Sequence, residues 1–334
     1  MISYIVNLLK QKERGVDMRS LGNSGIKISP VLMGTWQAGK TMWAGIDDAE
    51  TQKAIRAAFD AGINAFDTAE VYGNGHSERI LAKALTGVRD QVVIMTKVFS
   101  NHLKYDQVIK ACERSLKNLQ TDYIDLYQVH WPPGSFGHAA VPMQETMEAF
   151  GDLLKQGKIR AIGVSNFNSQ QLEAAAQFAS VVSLQSPYSL IWRHVEKDAA
   201  GFCRENGLSL LAYSPMAQGL LTGKFGPNHR FEKGDHRSAN RLFNAPLSQH
   251  VQEAIAQLKP IATAKGISLS QLALAWVISH PDTFAIAGAR NPQQAMQNAA
   301  AADIRLSAEE IQTLDQISVS VTDHLDDNPV LWKW

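Results

Sequence analysis

The chain has 334 residues, 45% hydrophobic, 8% aromatic and 19% charged, the balance of an ordinary folded protein, which excludes disorder along its whole length. Lys plus Arg total 32 and Asp plus Glu total 32, so no long-range positive field draws nucleic acid or an anionic membrane surface. The two cysteines, Cys112 and Cys203, stand alone in helix-like segments and offer neither a disulfide framework nor a CxxC metal pair, as suits a reducing, cytoplasmic setting.

At the N-terminus the apolar run 1–9 is broken by Asn7, lacks a leading positive charge and has no small-residue cleavage site behind it, so no secretion signal is expected. Residues 1–17 are expected to be a loose extension of one domain over 18–334. Nowhere does the chain approach the roughly 18 uninterrupted apolar residues of a membrane-spanning helix. An Asn-Ser-Gly turn signal within 21–29 predicts a short hairpin closing the N-terminal end of the domain.

From Val31 onward short apolar runs alternate with longer amphipathic stretches, the order of parallel strands joined by crossover helices. Eight strands are predicted, over 31–34, 63–67, 92–97, 124–130, 159–164, 181–185, 208–213 and 283–287, all reading as buried on both faces. Between them lie helices such as 48–61, 106–119, 143–156, 169–179, 197–206 and 292–301, with Gly62, Gly157 and Gly207 where C-terminal caps belong. Residues 307–317 predict a further helix ahead of the tail. The irregular stretch 225–246, between the seventh strand and its helix, reads as a lid. Eight such units predict an α/β fold, a closed (β/α)8 TIM barrel, rather than an open doubly wound sheet.

Active sites of such barrels form at the C-terminal ends of the strands, where this chain places Asp67, Lys97 and His130, with Tyr72 five residues beyond Asp67. A buried lysine needs a counter-ion, and Asp67 is the nearest one. A tyrosine beside that ammonium is expected to have its pKa drawn down from about 10 and to act as a general acid. A neutral His130 would add a hydrogen bond to a developing oxyanion. Taken singly, each is a solvated strand end; together they describe carbonyl reduction.

These residues sit in motifs that resemble the aldo-keto reductase family over roughly 18–302: MGTW at 33–36, FDTAEVYGNGHSE at 66–78, MTK ending at Lys97, DYIDLYQVHWP at 122–132, KIRAIGVSNF at 158–167, LAYSPMAQGLLTGK at 211–224 and GARNPQQAMQN at 288–298. The resemblance implies a (β/α)8 barrel, NADPH as hydride donor, and a catalytic set of Asp67, Tyr72, Lys97 and His130. It also puts Gly34, Thr35, Trp36 and Asp67 at the cofactor, Ser165, Asn166 and Gln185 on the carboxamide, and Tyr213 against the nicotinamide. Read alone, Ser165 and Asn166 are an N-cap and turn, and Gln185 is a satisfied barrel polar group.

No GxGxxG follows a strand and opens a helix, so a Rossmann site is not indicated. The run 214–224, with Ser214, Pro215, Gln218, Gly219, Leu221, Gly223 and Lys224, suits a pyrophosphate wrapped in backbone amides. Arg290 after Gly288 suits a phosphate monoester and favours NADPH over NADH. Gln294 and Asn298 share a helix face, which the resemblance places against adenine.

Trp36, Trp43 and Trp131, with Tyr72, are expected to wall a pocket for small aldehydes, including aromatic or dicarbonyl ones. Trp192 is left without a role, and Trp332 and Trp334 are candidates to fold over the mouth. No HxH or HxxxH occurs among the ten histidines, so no metal is expected. The alternative reading is a cofactor-binding regulatory subunit of the same fold with little turnover.

Overall fold

The runs expected to be buried on both faces form eight parallel strands that close on themselves. The computed structural model describes residues 17–226 and 229–331, so all but the last residue of the expected extension 1–17, and the tail tryptophans Trp332 and Trp334, lie outside the described residues. Strands β1 (Arg19–Ser20) and β2 (Lys27–Ile28) make an antiparallel hairpin. Strands β3 (Val31–Gly34), β4 (Ala65–Asp67), β5 (Val93–Val98), β6 (Ile124–Val129), β7 (Ile159–Ser165), β8 (Val181–Pro187), β9 (Ser209–Tyr213) and β10 (Thr283–Gly288) form the barrel, with β10 paired to β3.

The hairpin strands start two residues earlier than the predicted segment, but its purpose is as expected. Leu21, Ile26 and Ile28 pack with the inward side chains Leu32, Val93, Met95, Leu126, Leu211 and Phe284, plugging the barrel's N-terminal end. Gly22, at φ 46°, lies so close to the carbonyl of Val182 that a Cβ would come within 2.3 Å of it. The hairpin is therefore seated on the barrel floor.

Around the barrel run α1 (Asp48–Asp60), α2 (His76–Ala84), α3 (Tyr105–Leu119), α4 (Met143–Lys155), α5 (Ser169–Ala176), α6 (Ala199–Glu205), α7 (Leu247–Ala264), α8 (Leu269–Ile278), α9 (Pro292–Ala300) and α10 (Ala308–Thr322). Of these, α2, α7 and α8 join those named from the sequence. Side chains cap several of them: Asp47 accepts from the Glu50 amide, Ser268 from Gln271, Asn291 from Gln294 and Ser307 from Glu310. No single helix among the described residues is long and apolar enough to cross a membrane.

The strand register sets the height of every candidate residue. Gly34 pairs with Asp67 and with Gly288, Lys97 with Gln128, Ser165 with Gln185, and Tyr213 with Ile286, all at the C-terminal rim.

Candidate active site

At the rim of β4 and β5 the ammonium of Lys97, wholly buried, donates to Asp67 Oδ1 at 2.6 Å and to the Thr68 carbonyl at 2.8 Å. Asp67 Oδ2 accepts from the side-chain amides of Gln185 at 2.9 Å and Gln128 at 3.3 Å. Beneath lies a hydroxyl lattice: Thr68 donates to Ser77 Oγ, Ser77 to Thr35, and Thr35 to the Asp67 carbonyl, all within 2.9 Å. Buried charges are tolerated when paired and hydrogen-bonded, and here nearly every valence is filled from within the chain.

Tyr72 reaches over this pair, with the Lys97 ammonium 5.3 Å from its ring centre and the His130 ring edge-on at 5.7 Å. Its loop is fixed backbone to backbone. A Cβ on Gly39 would lie 2.6 Å from the Tyr72 carbonyl carbon, and one on Gly73 would lie 2.3 Å from the Gly39 oxygen. The amide of Ser77, in the first turn of α2, also donates to the Tyr72 carbonyl at 3.1 Å.

The expected acidification of Tyr72 is reversed. Its phenol is pushed well above its ordinary range, first by burial and then by the Asp67 carboxylate, instead of being drawn down by Lys97. Burial and the nearby carboxylate together keep the proton on the phenol at neutral pH. Burial draws Lys97 down while Asp67 opposes it. Burial and then the Lys97 ammonium hold His130 well below the usual imidazole range, which makes it neutral as expected. The mouth thus presents a protonated phenol and a neutral imidazole over a buried ammonium.

These groups open into a cavity of about 480 Å³. At one end Phe99 and Trp131 line it, and both meet the exposed Phe136, stacked at 5.4 Å and edge-on at 5.1 Å. Trp36 lies between this end and the next, 6.2 Å from Tyr72 and 5.3 Å from Trp43.

At the other end cations gather. Arg237 and Arg290 lie 5.0 and 5.7 Å over the Trp43 ring, which places Trp43 at the roof of this end, and Lys224 lines the same groove. Burial comes first, and then the neighbouring cations, in lowering both Lys224 and Arg290. Among the described residues the buried donors Trp43 Nε1, Gln218 Nε2 and Arg290 Nη2 have no acceptor. Ser214, Gln218 and Gly219 all adopt the left-handed conformation, at φ 52°, 55° and 99°. Unmet donors beside clustered cations suit a polyanionic group such as a dinucleotide phosphate.

Most residues expected at the cofactor line this cavity: Gly34, Thr35, Trp36, Asp67, Ser165, Asn166, Gln185, Tyr213, Ser214, Pro215, Gln218, Gly219, Lys224, Gly288, Arg290, Gln294 and Asn298. Two do not. Leu221 turns its side chain into the hydrophobic core, and Gly223 packs under Leu269, where a Cβ would come within 2.7 Å of Leu269 Cδ1. The side chain of Leu221 thus serves packing, and the position of Gly223 leaves no room for one. Tyr213 Oη donates to Asn166 Oδ1 at 2.9 Å, while Asn166 Nδ2 donates to the His130 carbonyl, tying the rim of β9 to those of β7 and β6.

The stretch 225–246 crosses to the loop after β3: the His236 amide donates to the Met42 carbonyl at 3.2 Å, and its Nδ1 lies 2.8 Å from the same oxygen. His236 packs 4.5 Å from Trp36 and 4.7 Å from Trp43, and Arg237 is gripped by both oxygens of Asp235. Sequence reasoning missed Arg237, Phe99, Phe136 and Gln128. Only Gln128, a polar letter inside an apolar strand, carried a signal.

Residues 30–319 match the model of the Aldo/keto reductase family. An aldo-keto reductase of Bacillus subtilis is 39% identical over 291 residues, covering 84% of this chain and 86% of its own length. Among solved structures, the glycerol dehydrogenase of Gluconobacter oxydans superposes with a TM-score of 0.84 at 32% identity, covering 93% of this chain and 98% of its own. An aldo/keto reductase from Klebsiella pneumoniae, crystallised with NADP and acetate, does so with a TM-score of 0.72 at 34% identity, covering 89% and 94%.

Proposed function

Because this chain belongs to the aldo/keto reductase family, we propose that it reduces the carbonyl of small aldehydes or ketones with NADPH, and oxidises the alcohol in reverse. The observation that carries the reading is the buried Lys97–Asp67 pair beneath a protonated Tyr72 and a neutral His130 at one rim of the cavity. Trp43 Nε1, Gln218 Nε2, Arg290 and Lys224 would hold the phosphates, and Asn166, Gln185 and Tyr213 the nicotinamide end. When bound, NADPH supplies the hydride.

The chain's own residues handle the oxygen. His130 donates one hydrogen bond to the carbonyl and orients it. Tyr72 Oη gives up its proton as negative charge grows there. In the resting site Asp67 offsets the ammonium. The phenolate left behind has the Lys97 ammonium, 5.3 Å from its ring centre, as a counter-charge that offsets part of what burial and Asp67 cost it. The rings of Phe99 and Trp131 that line this end of the cavity favour uncharged substrates, including aromatic and dicarbonyl aldehydes.

The test is the loss of NADPH absorbance with an aromatic aldehyde. Tyr72→Phe is expected to lower the rate by about 10³-fold while NADPH affinity stays within about twofold, since general acids contribute about 10²–10⁴. Equal rates would remove the assignment, and NADPH binding without turnover in the wild type would point to the regulatory-subunit reading.

A further inference from the structure

Two residues ahead of Tyr72 stands a carboxylate that the reaction does not use. Glu70 is 9% exposed, yet its side chain meets three donors: the Phe99 amide at 2.9 Å and His102 Nδ1 at 2.9 Å on Oε1, and Arg114 Nη2 at 3.0 Å on Oε2. Its backbone is pinned as well, the amide donating to the Lys97 carbonyl at 3.3 Å and the carbonyl accepting from Gly75 at 2.8 Å. The loop that carries Tyr72 is thereby stitched to the exit of β5.

What the carboxylate holds is one wall of the cavity. The ring of Phe99 stands 5.6 Å from His130 and stacks on Phe136, while Tyr72 faces the same space from the loop of Glu70 itself. A fixed acceptor bonded to the Phe99 amide and rooted two residues from Tyr72 ties two lining residues of the cavity to one anchor. Positioning of this kind matters because small misplacements at a reacting centre cost large factors in binding and rate.

We propose that Glu70 is a positioning residue, which fixes the gap between the Tyr72 hydroxyl and the Phe99 ring and thereby the affinity for the carbonyl compound, without touching it. The inference rests on the reading of this cavity as a carbonyl site.

The experiment uses the full chain loaded with NADP+ and titrated with 4-nitrobenzaldehyde, with binding read from quenching of tryptophan fluorescence alongside NADP+ affinity and Tm. Glu70→Ala is expected to weaken aldehyde binding by about tenfold or more and NADP+ binding by less than about twofold. Glu70→Gln, whose amide oxygen still accepts from Phe99, is expected to stay within about threefold of wild type. Glu70→Asp keeps the charge but withdraws it by one methylene, so it is expected to weaken the aldehyde by about fivefold even if the alanine variant fails to fold. Arg114→Ala removes the outer ion pair and leaves the Phe99 bond, so the aldehyde should bind within about twofold of wild type.

The proposal is overturned if the aspartate variant binds aldehyde as the wild type does, if aldehyde and NADP+ weaken together, or if Arg114→Ala reproduces the loss at the same Tm. In each of those cases the carbonyl-site reading stands. A wild-type protein that binds NADP+ and ignores the aldehyde overturns that reading and the proposal with it.

Discussion

The two ends of the cavity satisfy their polar groups to different degrees: among the described residues the first leaves His130 Nδ1 unmet, and the second leaves several donors unmet. Around Lys97 and Asp67 the chain supplies its own partners: ammonium to carboxylate and carbonyl, carboxylate to two glutamines, hydroxyl to hydroxyl. Around Arg290 the donors of Trp43, Gln218 and Arg290 find no acceptor among the described residues, and the backbone of Ser214, Gln218 and Gly219 is left-handed. Where a proton has to be held at one height, internal satisfaction gives rigidity. Where the ligand is anionic, Arg237 is held by Asp235, but the donors of Trp43, Gln218 and Arg290 are left unmet.

The self-satisfied end breaks most severely at its centre. Lys97→Met is expected to lower carbonyl-dependent NADPH oxidation by about 10³-fold with NADPH affinity nearly unchanged, and to destabilise the fold by about 3–5 kcal/mol, because Asp67 loses its counter-ion in the interior. Single-turnover absorbance and urea unfolding measure the two effects, and a loss of NADPH binding instead would merge the ends into one. At the other end, Arg290→Ala is expected to weaken NADPH by about 10–100-fold, about 1.4–2.7 kcal/mol, and NADH by about twofold. Equal weakening in titrations with both nucleotides would deny that this end reads a phosphate.

The smallest effect sharpens the first end by pH. His130 is held below the ordinary imidazole value of about 6.5, so between the two values the unfolded chain binds a proton that the native chain refuses. Stability is whole above that window and falls as pH drops below about 6.5, by about 1.4 kcal/mol per unit for this one group. His194 and His236, also lowered mainly by burial, add to the same slope. Replacing His130 with Gln should make the Tm loss between about pH 7.5 and about pH 5.5 smaller by about 2 °C, and an unchanged loss would mean that His130 is charged in the native state.

The barrel was legible because its strands are continuous apolar runs, and the gathering of Asp67, Lys97 and His130 at one rim because ionisable letters end three of them. Other features leave weaker traces. In α8 seven consecutive residues, 272–278, are buried, so no stripe of period 3.6 stands out, and Pro260 inside α7 argues locally against the helix that packing nevertheless holds together. The adjacency of Lys97 to Tyr72 suggested an acidified phenol; the counter-charge of Asp67 was readable from the sequence, but the burial that leads the reversal belongs to the tertiary structure. The direction of Leu221, and the approach of Arg237 to Trp43 across two loops, likewise follow from packing rather than from any local pattern.

The contact between Gly39 and Gly73 limits how this protein can diverge. There peptide touches peptide, so the elevation of the phenol over the barrel is a dimension that no exchange of side chains can retune, and a methyl group at either position would pry the loops apart. New substrate preferences therefore have to arise from side chains on the neighbouring loops, while the height of the Tyr72 ring over the rim stays unchanged.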